Sequence, residues 1–203
     1  MEHARQDKTC FFNNKAKKWN EASRAADLEK AELQLHLLDI KHGNVVLDVG
    51  TGTGILIPLL ARFTDEAGIT AIDLSPNMIA AARDNFPTSA TRFIEGDVLT
   101  YPFAAESFDF VICYSIFPHF ENHRNAFRHL AGLIRQGGKI AIMHSSSRND
   151  INAMHGRIGA VKDDLLPPIG VLRDFAAECG LKEEISLDTA RMFMLAARKD
   201  KAK

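Results

Sequence analysis

The stretch from Val45 to Gly54 constrains this chain more than any other. Four apolar residues and one acid occupy positions 45–49, and three glycines then follow at alternate positions, Gly50, Gly52 and Gly54. Such a run predicts a buried strand, a tight turn and a helix that begins near Ile55. This arrangement would place backbone N–H groups and a helix N-terminus beside any ligand held in the turn.

Strands and helices alternate along most of the chain. The apolar patterns and turn residues predict strands at 45–49, 69–73, 91–95, 108–113, 139–144, 181–187 and 191–197. They predict helices at 24–42, 55–63, 75–85, 121–134, 145–156 and 169–179. This order indicates a Rossmann-like α/β fold, with a mostly parallel sheet, helices on both faces and a terminal hairpin that makes the last strand antiparallel.

We expect residues 1–203 to form a single domain. A Rossmann-like core would span 45–198, and residues 1–42 would form an N-terminal helical segment. The aromatic residues Phe11, Phe12 and Trp19 stand in an otherwise polar stretch of that segment. They either pack on the edge of the domain or form a lid over the glycine turn.

Composition excludes several classes of protein. The net charge is −1, which gives no electrostatic support for a nucleic-acid partner. The three cysteines are far apart and form no CxxC pair, so neither a zinc ribbon nor a disulfide framework is indicated. No apolar run approaches the length of a membrane span. We therefore expect a cytoplasmic protein without a membrane span.

Three details indicate which ligand the glycine turn binds. The spacing is G-x-G-x-G, whereas the dinucleotide fingerprint is G-x-G-x-x-G. Asp48, two residues before Gly50, would repel a pyrophosphate and attract an ammonium or sulfonium group. Asp73 ends the second predicted strand, where a carboxylate can accept both ribose hydroxyl protons. The first two details favour S-adenosylmethionine over a dinucleotide, and the third supports a nucleoside without choosing between them.

Further positions complete a nucleoside pocket. Asp97 follows the third predicted strand and can accept a hydrogen bond from an adenine amine, with Val98 and Leu74 as apolar plates on the base. Cys113 ends the fourth predicted strand at the carboxyl edge of the sheet, where open α/β sheets bind ligands. Each aspartate taken singly could instead be an ordinary turn or cap residue.

The chain resembles the class I S-adenosylmethionine-dependent methyltransferases, and most closely their small-molecule branch that contains the ubiquinone/menaquinone C-methyltransferases. The resemblance spans roughly residues 11–198, and a Pro-Gly-Gly turn of the family reads Gln136-Gly137-Gly138 here. It implies a seven-stranded sheet and S-adenosylmethionine as the cofactor. The matching motifs are 11–20, 46–54, 72–78, 95–98, 107–111 and 133–139. The cofactor-binding set that we predict is Asp48, Gly50, Thr51, Gly52, Asp73, Leu74, Met78, Asp97, Val98 and Cys113.

The acceptor should lie beside the segments that follow the fourth and fifth strands. His119 and His123 follow the fourth strand, and either could be a base or an ordinary surface histidine. His144 ends the fifth strand. On the helix after it, Arg148 and His155 share one face with Asn152, because their spacing is i, i+4 and i+7.

We expect His119, His144, Arg148 and His155 to be the acceptor-side residues, and the last three to bind or deprotonate a polar or anionic acceptor. The face of this helix could instead simply be solvated. A metal held by Cys113 and these histidines is a further alternative, but no ligand spacing recommends it, and we predict none.

The predicted function is thus S-adenosylmethionine-dependent methyl transfer to a small-molecule acceptor by in-line displacement. Two alternatives stay open, namely a regulatory protein that binds the cofactor without catalysis and a nucleotide-dependent oxidoreductase. We expect a monomer or homodimer that has no nucleic-acid partner.

Overall fold

The computed structural model describes residues 10–13 and 25–200. Residues 10–13 are helical. The helices are α1 (Ala25–Leu38), α2 (Ile57–Leu60), α3 (Pro76–Asn85), α4 (His123–Leu133), α5 (Arg148–His155) and α6 (Ile169–Glu178). The strands are β1 (Val46–Val49), β2 (Ile69–Asp73), β3 (Arg92–Glu95), β4 (Phe108–Tyr114), β5 (Ile134–His144), β6 (Leu181–Asp188) and β7 (Phe193–Lys199). Trp19 lies outside the described residues.

All seven strands form one sheet in the order β3-β2-β1-β4-β5-β7-β6. The neighbours from β3 to β5 are parallel, and β7 lies antiparallel between β5 and β6. The predicted Rossmann-like fold is therefore confirmed, including the antiparallel last strand. The order reverses at β1, so the carboxyl ends of β1 and β4 flank a crevice of the kind in which α/β sheets bind ligands.

Each face of the sheet is buried under helices. On one face, Leu47 and Val111 belong to a cluster that includes Phe127 of α4 and Leu172 of α6. On the other face, Val46 packs with residues of α1 and α2. Neighbouring residues of one strand thus enter opposite layers, because side chains alternate across a sheet. Within the described residues, no helix has the length and apolarity that crossing a membrane requires.

Two predicted helices are shorter than expected. The helix predicted at 55–63 contains only the four residues of α2. Gly54 has a positive φ of 82°, and α2 begins only at Ile57, with Pro58 in its first turn, where a missing N–H is tolerated. The residues on either side form tight turns. The helix predicted at 24–42 is described from Ala25 and ends at Leu38, because Asp39 adopts a left-handed conformation with φ 61°.

The turn predicted at 136–138 lies inside β5, which begins at Ile134. A β-carbon at Gly138 would lie 2.6 Å from the carbonyl oxygen of Asp109. The glycine therefore allows β5 to approach the start of β4 closely, and the register shifts there, between Phe108 and Phe110. A close backbone approach of this kind is a common reason for glycine inside a strand.

Helix α1 is tied to the carboxyl end of β5. The Gln34 side chain is fully buried, and its Nε2 donates to the carbonyl oxygens of His144 and Phe193 at 3.2 and 2.9 Å. Lys30 Nζ donates to the carbonyl oxygen of Ser145 at 2.7 Å. These hydrogen bonds hold the carboxyl end of β5, where His144 lies, in a fixed position.

We predict that Gln34→Ala lowers the free energy of unfolding by about 1–3 kcal/mol, because two buried carbonyl groups lose their donor. Urea denaturation followed by circular dichroism measures this change. The matched control is Gln136→Ala, which removes an exposed amide that makes one long hydrogen bond to Glu106 at 3.4 Å. Equal effects of the two substitutions would contradict the anchoring role of Gln34.

Candidate active site

The glycine turn joins β1 to α2 and has a left-handed backbone. Gly50 and Gly52 have φ values of 66° and 56°. A β-carbon at Gly50 would lie 2.7 Å from Cβ of Ile116, a residue of the segment that follows β4. Glycine at position 50 therefore serves two purposes, since it adopts the strained conformation and leaves room for Ile116.

The predicted role of the N–H groups in this turn is not supported. The N–H groups of Gly50 and Thr51 both donate to the carbonyl oxygen of Ile72, at 2.8 and 3.1 Å. Gly52 N–H donates to Asp73 Oδ2 at 2.8 Å, and Gly54 N–H donates to the carbonyl oxygen of Thr51. The turn is therefore hydrogen-bonded to β2. The short α2 also provides no helix N-terminus comparable to the one expected.

Asp48 is the unusual group of the site. Its side chain is buried at 1% exposure, and neither Asp48 Oδ2 nor Thr51 Oγ1 has a hydrogen-bond partner among the described residues. Burial raises the pKa of Asp48 to about 7, and the nearby Asp73 carboxyl adds to this rise. A buried carboxyl with one oxygen left without a partner is costly in free energy, and a cationic ligand would offset that cost.

Asp73 ends β2 beside this group. Its Oδ2 accepts from Gly52 N–H and its Oδ1 from Ser75 N–H, both at 2.8 Å. Burial raises the pKa of Asp73 above its ordinary value, while the backbone donors act in the opposite direction. Each carboxylate oxygen has a second lone pair, so the locked carboxylate could also accept two ligand hydroxyls.

The other predicted cofactor residues differ in their exposure and in their contacts. Leu74 is 41% exposed at the rim, while Met78 is buried with its sulfur about 4.0 Å from a β-carbon built at Gly52. Asp97 Oδ1 accepts from Leu99 N–H at 3.0 Å, as a turn residue does, and Val98 packs in the core. Their roles towards a ligand stay predictions.

The position predicted for Cys113 needs correction. β4 extends one residue further, to Tyr114, and the Cys113 side chain is fully buried in the hydrophobic core. Burial raises the pKa of this thiol far above its ordinary value, and the Asp48 carboxyl adds to the effect. Cys113 is therefore an inert core thiol next to Asp48, in register with Val49, and not the exposed end of a strand.

Three of the predicted histidines form one cluster. The rings of His119 and His155 lie 5.0 Å apart between centroids. His144 is 3% exposed, its Nε2 has no partner among the described residues, and burial together with His119 and His155 lowers its pKa to about 3. His144 is therefore neutral at physiological pH. The described residues contain no group of three metal-ligating side chains placed to hold a metal ion.

Asp164 joins this cluster, although no sequence pattern selects it. Its Oδ2 lies 2.7 Å from His119 Nδ1, and its carbonyl oxygen lies 2.5 Å from His155 Nδ1. Asp163 and Asp164 stand side by side in a loop, and only Asp164 is buried. No sequence signal distinguishes the two, because the partners of Asp164 belong to other elements.

The face predicted on α5 is not an open one. Arg148 pairs with Asp188 at 3.4 Å at the end of β6. Both polar atoms of the Asn152 amide form hydrogen bonds with the backbone of Leu166, at 2.8 and 3.2 Å. His155, at the end of this face, is the residue that reaches the cluster. The face therefore packs against the loop that carries Asp164, and the acceptor role of Arg148 stays a prediction without support from its contacts.

The helical turn at residues 10–13 lies between the two halves of the site. The ring of Phe12 lies 5.1 Å from that of His119, and Phe11 packs on Phe12 at 5.2 Å. Asn13 Oδ1 accepts from Ser75 Oγ at 2.5 Å, and the Asn13 carbonyl accepts from Asn77 Nδ2. This turn thus connects the neighbourhood of Asp73 with that of the histidines.

Comparison with known proteins shows what this part of the chain is similar to. Residues 47–142 match the family model described as a methyltransferase domain. The fold agrees with an S-adenosylmethionine-dependent methyltransferase of Aquifex aeolicus (TM-score 0.70, 19% identity, 92% of this chain and 97% of that one). It also agrees with Haemonchus contortus phosphoethanolamine N-methyltransferase 2 in complex with S-adenosyl-L-methionine (TM-score 0.69, 17% identity, 85% and 53%).

Relatives of this part of the chain include methyltransferases that are named for different acceptors. An uncharacterized methyltransferase of Mycobacterium tuberculosis is 33% identical over 98 residues, which are 48% of this chain and 49% of that protein. A 2-methyl-6-phytyl-1,4-hydroquinone methyltransferase of Oryza sativa is 28% identical over 120 residues (59% and 34%). A tRNA1(Val) (adenine(37)-N6)-methyltransferase of Actinobacillus pleuropneumoniae is 40% identical over 81 residues (37% and 34%). The chain spans half or less of these relatives' lengths.

The comparisons support the predicted class, an S-adenosylmethionine-dependent methyltransferase, over residues 47–142. They do not decide the acceptor. The matched residues include the glycine turn, Asp48, Asp73 and His119, while His144, His155 and Asp164 lie beyond them. The matched part of the site therefore includes the glycine turn and both aspartates, and of the histidine cluster only His119.

We predict that Gly50→Ala lowers the free energy of unfolding by about 3 kcal/mol, from left-handed strain and the collision with Ile116. Urea denaturation tests this directly. The matched control is Gly132→Ala near the end of α4, where a β-carbon meets nothing within 4 Å and alanine favours the helix. A Gly50→Ala protein as stable as the control would show that the turn tolerates a side chain.

Proposed function

We propose that this protein transfers the methyl group of S-adenosylmethionine to a small-molecule acceptor by in-line displacement. The observation that carries the proposal is the buried carboxyl of Asp48, whose Oδ2 has no partner among the described residues, next to Asp73 at the carboxyl edge of the sheet. A cation with vicinal hydroxyls satisfies both groups. S-adenosylmethionine carries an ammonium, a sulfonium and a ribose.

Each residue of the cofactor side then has a defined task. Asp48 binds the positive charge of the ligand, and Asp73 accepts the ribose hydroxyl protons. Asp97 binds the adenine amine, with Leu74, Met78 and Val98 as apolar surroundings. Because the N–H groups of Gly50, Thr51 and Gly52 are already bonded to β2, the turn contributes shape and rigidity. The bound cofactor supplies the activated methyl group.

A small acceptor agrees better with this surface than a nucleic acid does. The net charge is −1, and binding to phosphate backbones depends on clusters of basic residues. One relative is a hydroquinone methyltransferase, and this supports the quinone-type branch that the sequence resembles. The tRNA relative is similar over 81 residues only. We further propose a cytoplasmic monomer or homodimer.

Within the N-terminal segment 1–42, the part at residues 10–13 is proposed to close over the site, while α1 packs in the core. Support comes from the turn at residues 10–13, which bonds to Ser75 through Asn13 and places Phe12 on His119. A closed site excludes water and holds donor and acceptor in line, and proximity alone lowers the barrier of such displacements substantially. We propose His119, His144 and His155 as the acceptor-side residues, because their cluster lies next to Phe12 of this turn.

We predict that calorimetric titration detects binding of S-adenosylmethionine and of its demethylated product, and no binding of NAD. Asp73→Asn should weaken both affinities about 10- to 100-fold, because a charged acceptor of two hydroxyls is lost. The exposed Asp163→Asn is the matched control and should change neither. Binding of NAD alone would refute the proposal. Cofactor binding without turnover on a broad acceptor panel would favour a regulatory protein.

We predict that cofactor affinity depends on pH through Asp48. Its pKa of about 7 in the free protein falls when a cation binds, so affinity rises as the pH approaches 7 and levels off above it. Binding at neutral pH should release protons, which titrations in buffers of different ionisation enthalpy measure. Asp48→Asn should remove this release and leave only the titration of the ligand. Identical proton release by both proteins would contradict the role of Asp48.

A further inference from the structure

The pair formed by His119 and Asp164 has the geometry of an oriented base. Asp164 Oδ2 lies 2.7 Å from His119 Nδ1, and the two side chains are 7% and 12% exposed. A carboxylate at Nδ1 holds the proton on that nitrogen and makes Nε2 the nitrogen that carries the lone pair. The same carboxylate stabilises the imidazolium that forms when Nε2 accepts a proton.

The loop that carries Asp164 is held in place from two sides. Asn152 of α5 bonds to the backbone of Leu166 at 2.8 and 3.2 Å, and His155 Nδ1 lies 2.5 Å from the carbonyl oxygen of Asp164. Asp164 N–H donates to the carbonyl oxygen of Val161. The carboxylate is therefore positioned by backbone contacts that do not involve its own oxygens, which suits a group that has to orient another side chain.

A purely structural ion pair would be the simplest explanation of this contact. Buried ion pairs often stabilise a fold no better than apolar residues of similar size. A second observation points to a ligand in the same place, namely His144. This buried histidine, at 3% exposure, has no partner for Nε2 among the described residues, and a polar group of a bound molecule would satisfy it.

The cluster also discriminates between kinds of acceptor. The pKa of His144 is lowered by burial and by His119 and His155, so an additional positive charge is disfavoured there. A neutral acceptor adds no charge on entry, and the one proton that it releases is balanced by Asp164. The ring of Phe12, beside His119 at 5.1 Å, offers a flat apolar contact.

We propose that Asp164 positions His119 as the general base of methyl transfer, and that the acceptor carries a weakly acidic O–H of the phenol or enol class. This proposal rests on the function proposed above. The bond between the acceptor nucleophile and the methyl carbon forms as the bond from sulfur to that carbon breaks. Sulfur leaves as a neutral thioether, and the acceptor proton passes to His119 Nε2. His144 Nε2 binds the oxygen of the acceptor.

The experiment uses the full chain, S-adenosylmethionine and a panel of substituted phenols and enols. The panel includes nitrophenols that are already ionised at the pH of the assay. The variants are His119→Gln and Asp164→Asn, with Asp163→Asn and His42→Gln as matched controls, because Asp163 is exposed and the His42 side chain is 82% exposed. Methyl transfer and cofactor affinity are measured for each protein.

We expect His119→Gln to slow transfer to un-ionised phenols by about 100-fold or more, the usual contribution of a general base. Transfer to ionised nitrophenols should change less than about threefold, because these acceptors have no proton to lose. Asp164→Asn should show the same selective loss to a smaller extent, and neither variant should alter cofactor affinity. Both controls should behave as the original protein.

Equal loss on ionised and un-ionised acceptors would overturn the proposal, as would full activity of His119→Gln, because a structural role moves both rates together. If Asp164→Asn fails to fold, the comparison of acceptors with His119→Gln decides the question alone. Cofactor binding without transfer to any member of the panel would overturn the acceptor class and leave the methyltransferase function standing. If the original protein does not bind S-adenosylmethionine, the proposed function itself is refuted.

Discussion

Burial of the Asp48 carboxyl beneath the glycine turn is the constraint on which the site depends. Its Oδ2 and the neighbouring Thr51 Oγ1 lack hydrogen-bond partners among the described residues, so a polar group of a ligand could bond to them. The turn around it is rigid, because Gly50, Thr51 and Gly52 donate to Ile72 and Asp73 of β2. Holding this carboxyl buried in a fixed position costs free energy, and a bound cation would offset that cost.

On the acceptor side, buried histidines are likewise held in fixed positions by contacts from other elements. His144 is buried and neutral, His119 is paired with Asp164, and His155 joins the two through the backbone of Asp164. Gln34 of α1 holds the carbonyl oxygen of His144, so the strand end that bears this histidine is fixed by a helix from the N-terminal part of the chain. The core layers on both faces of the sheet support this edge and do not take part in it.

The sequence was sufficient to predict the fold and the positions of Asp48 and Asp73, because these are encoded locally, while the roles of the two carboxylates towards a ligand stay predictions. Asp48 and Asp73 stand at or near strand ends that apolar runs and glycines mark plainly. Contacts between distant elements could not be read in the same way. His119 and Asp164 are 45 residues apart, and Arg148 meets Asp188 across 40 residues. The N–H groups of the turn were expected to face a ligand, yet the carbonyl of Ile72 on the neighbouring strand accepts two of them. Helix α2 begins only at Ile57, after the left-handed Gly54, and spans four residues, although the apolar pattern of the segment is helical.

A crystal structure with the demethylated cofactor product bound tests the central claim most directly. The account predicts the ribose hydroxyls on the Asp73 carboxylate, the amino group on the side of Asp48, and the sulfur facing the cluster of His119, His144 and His155. A product molecule bound elsewhere on the sheet, or one whose sulfur faces away from these histidines, would contradict it.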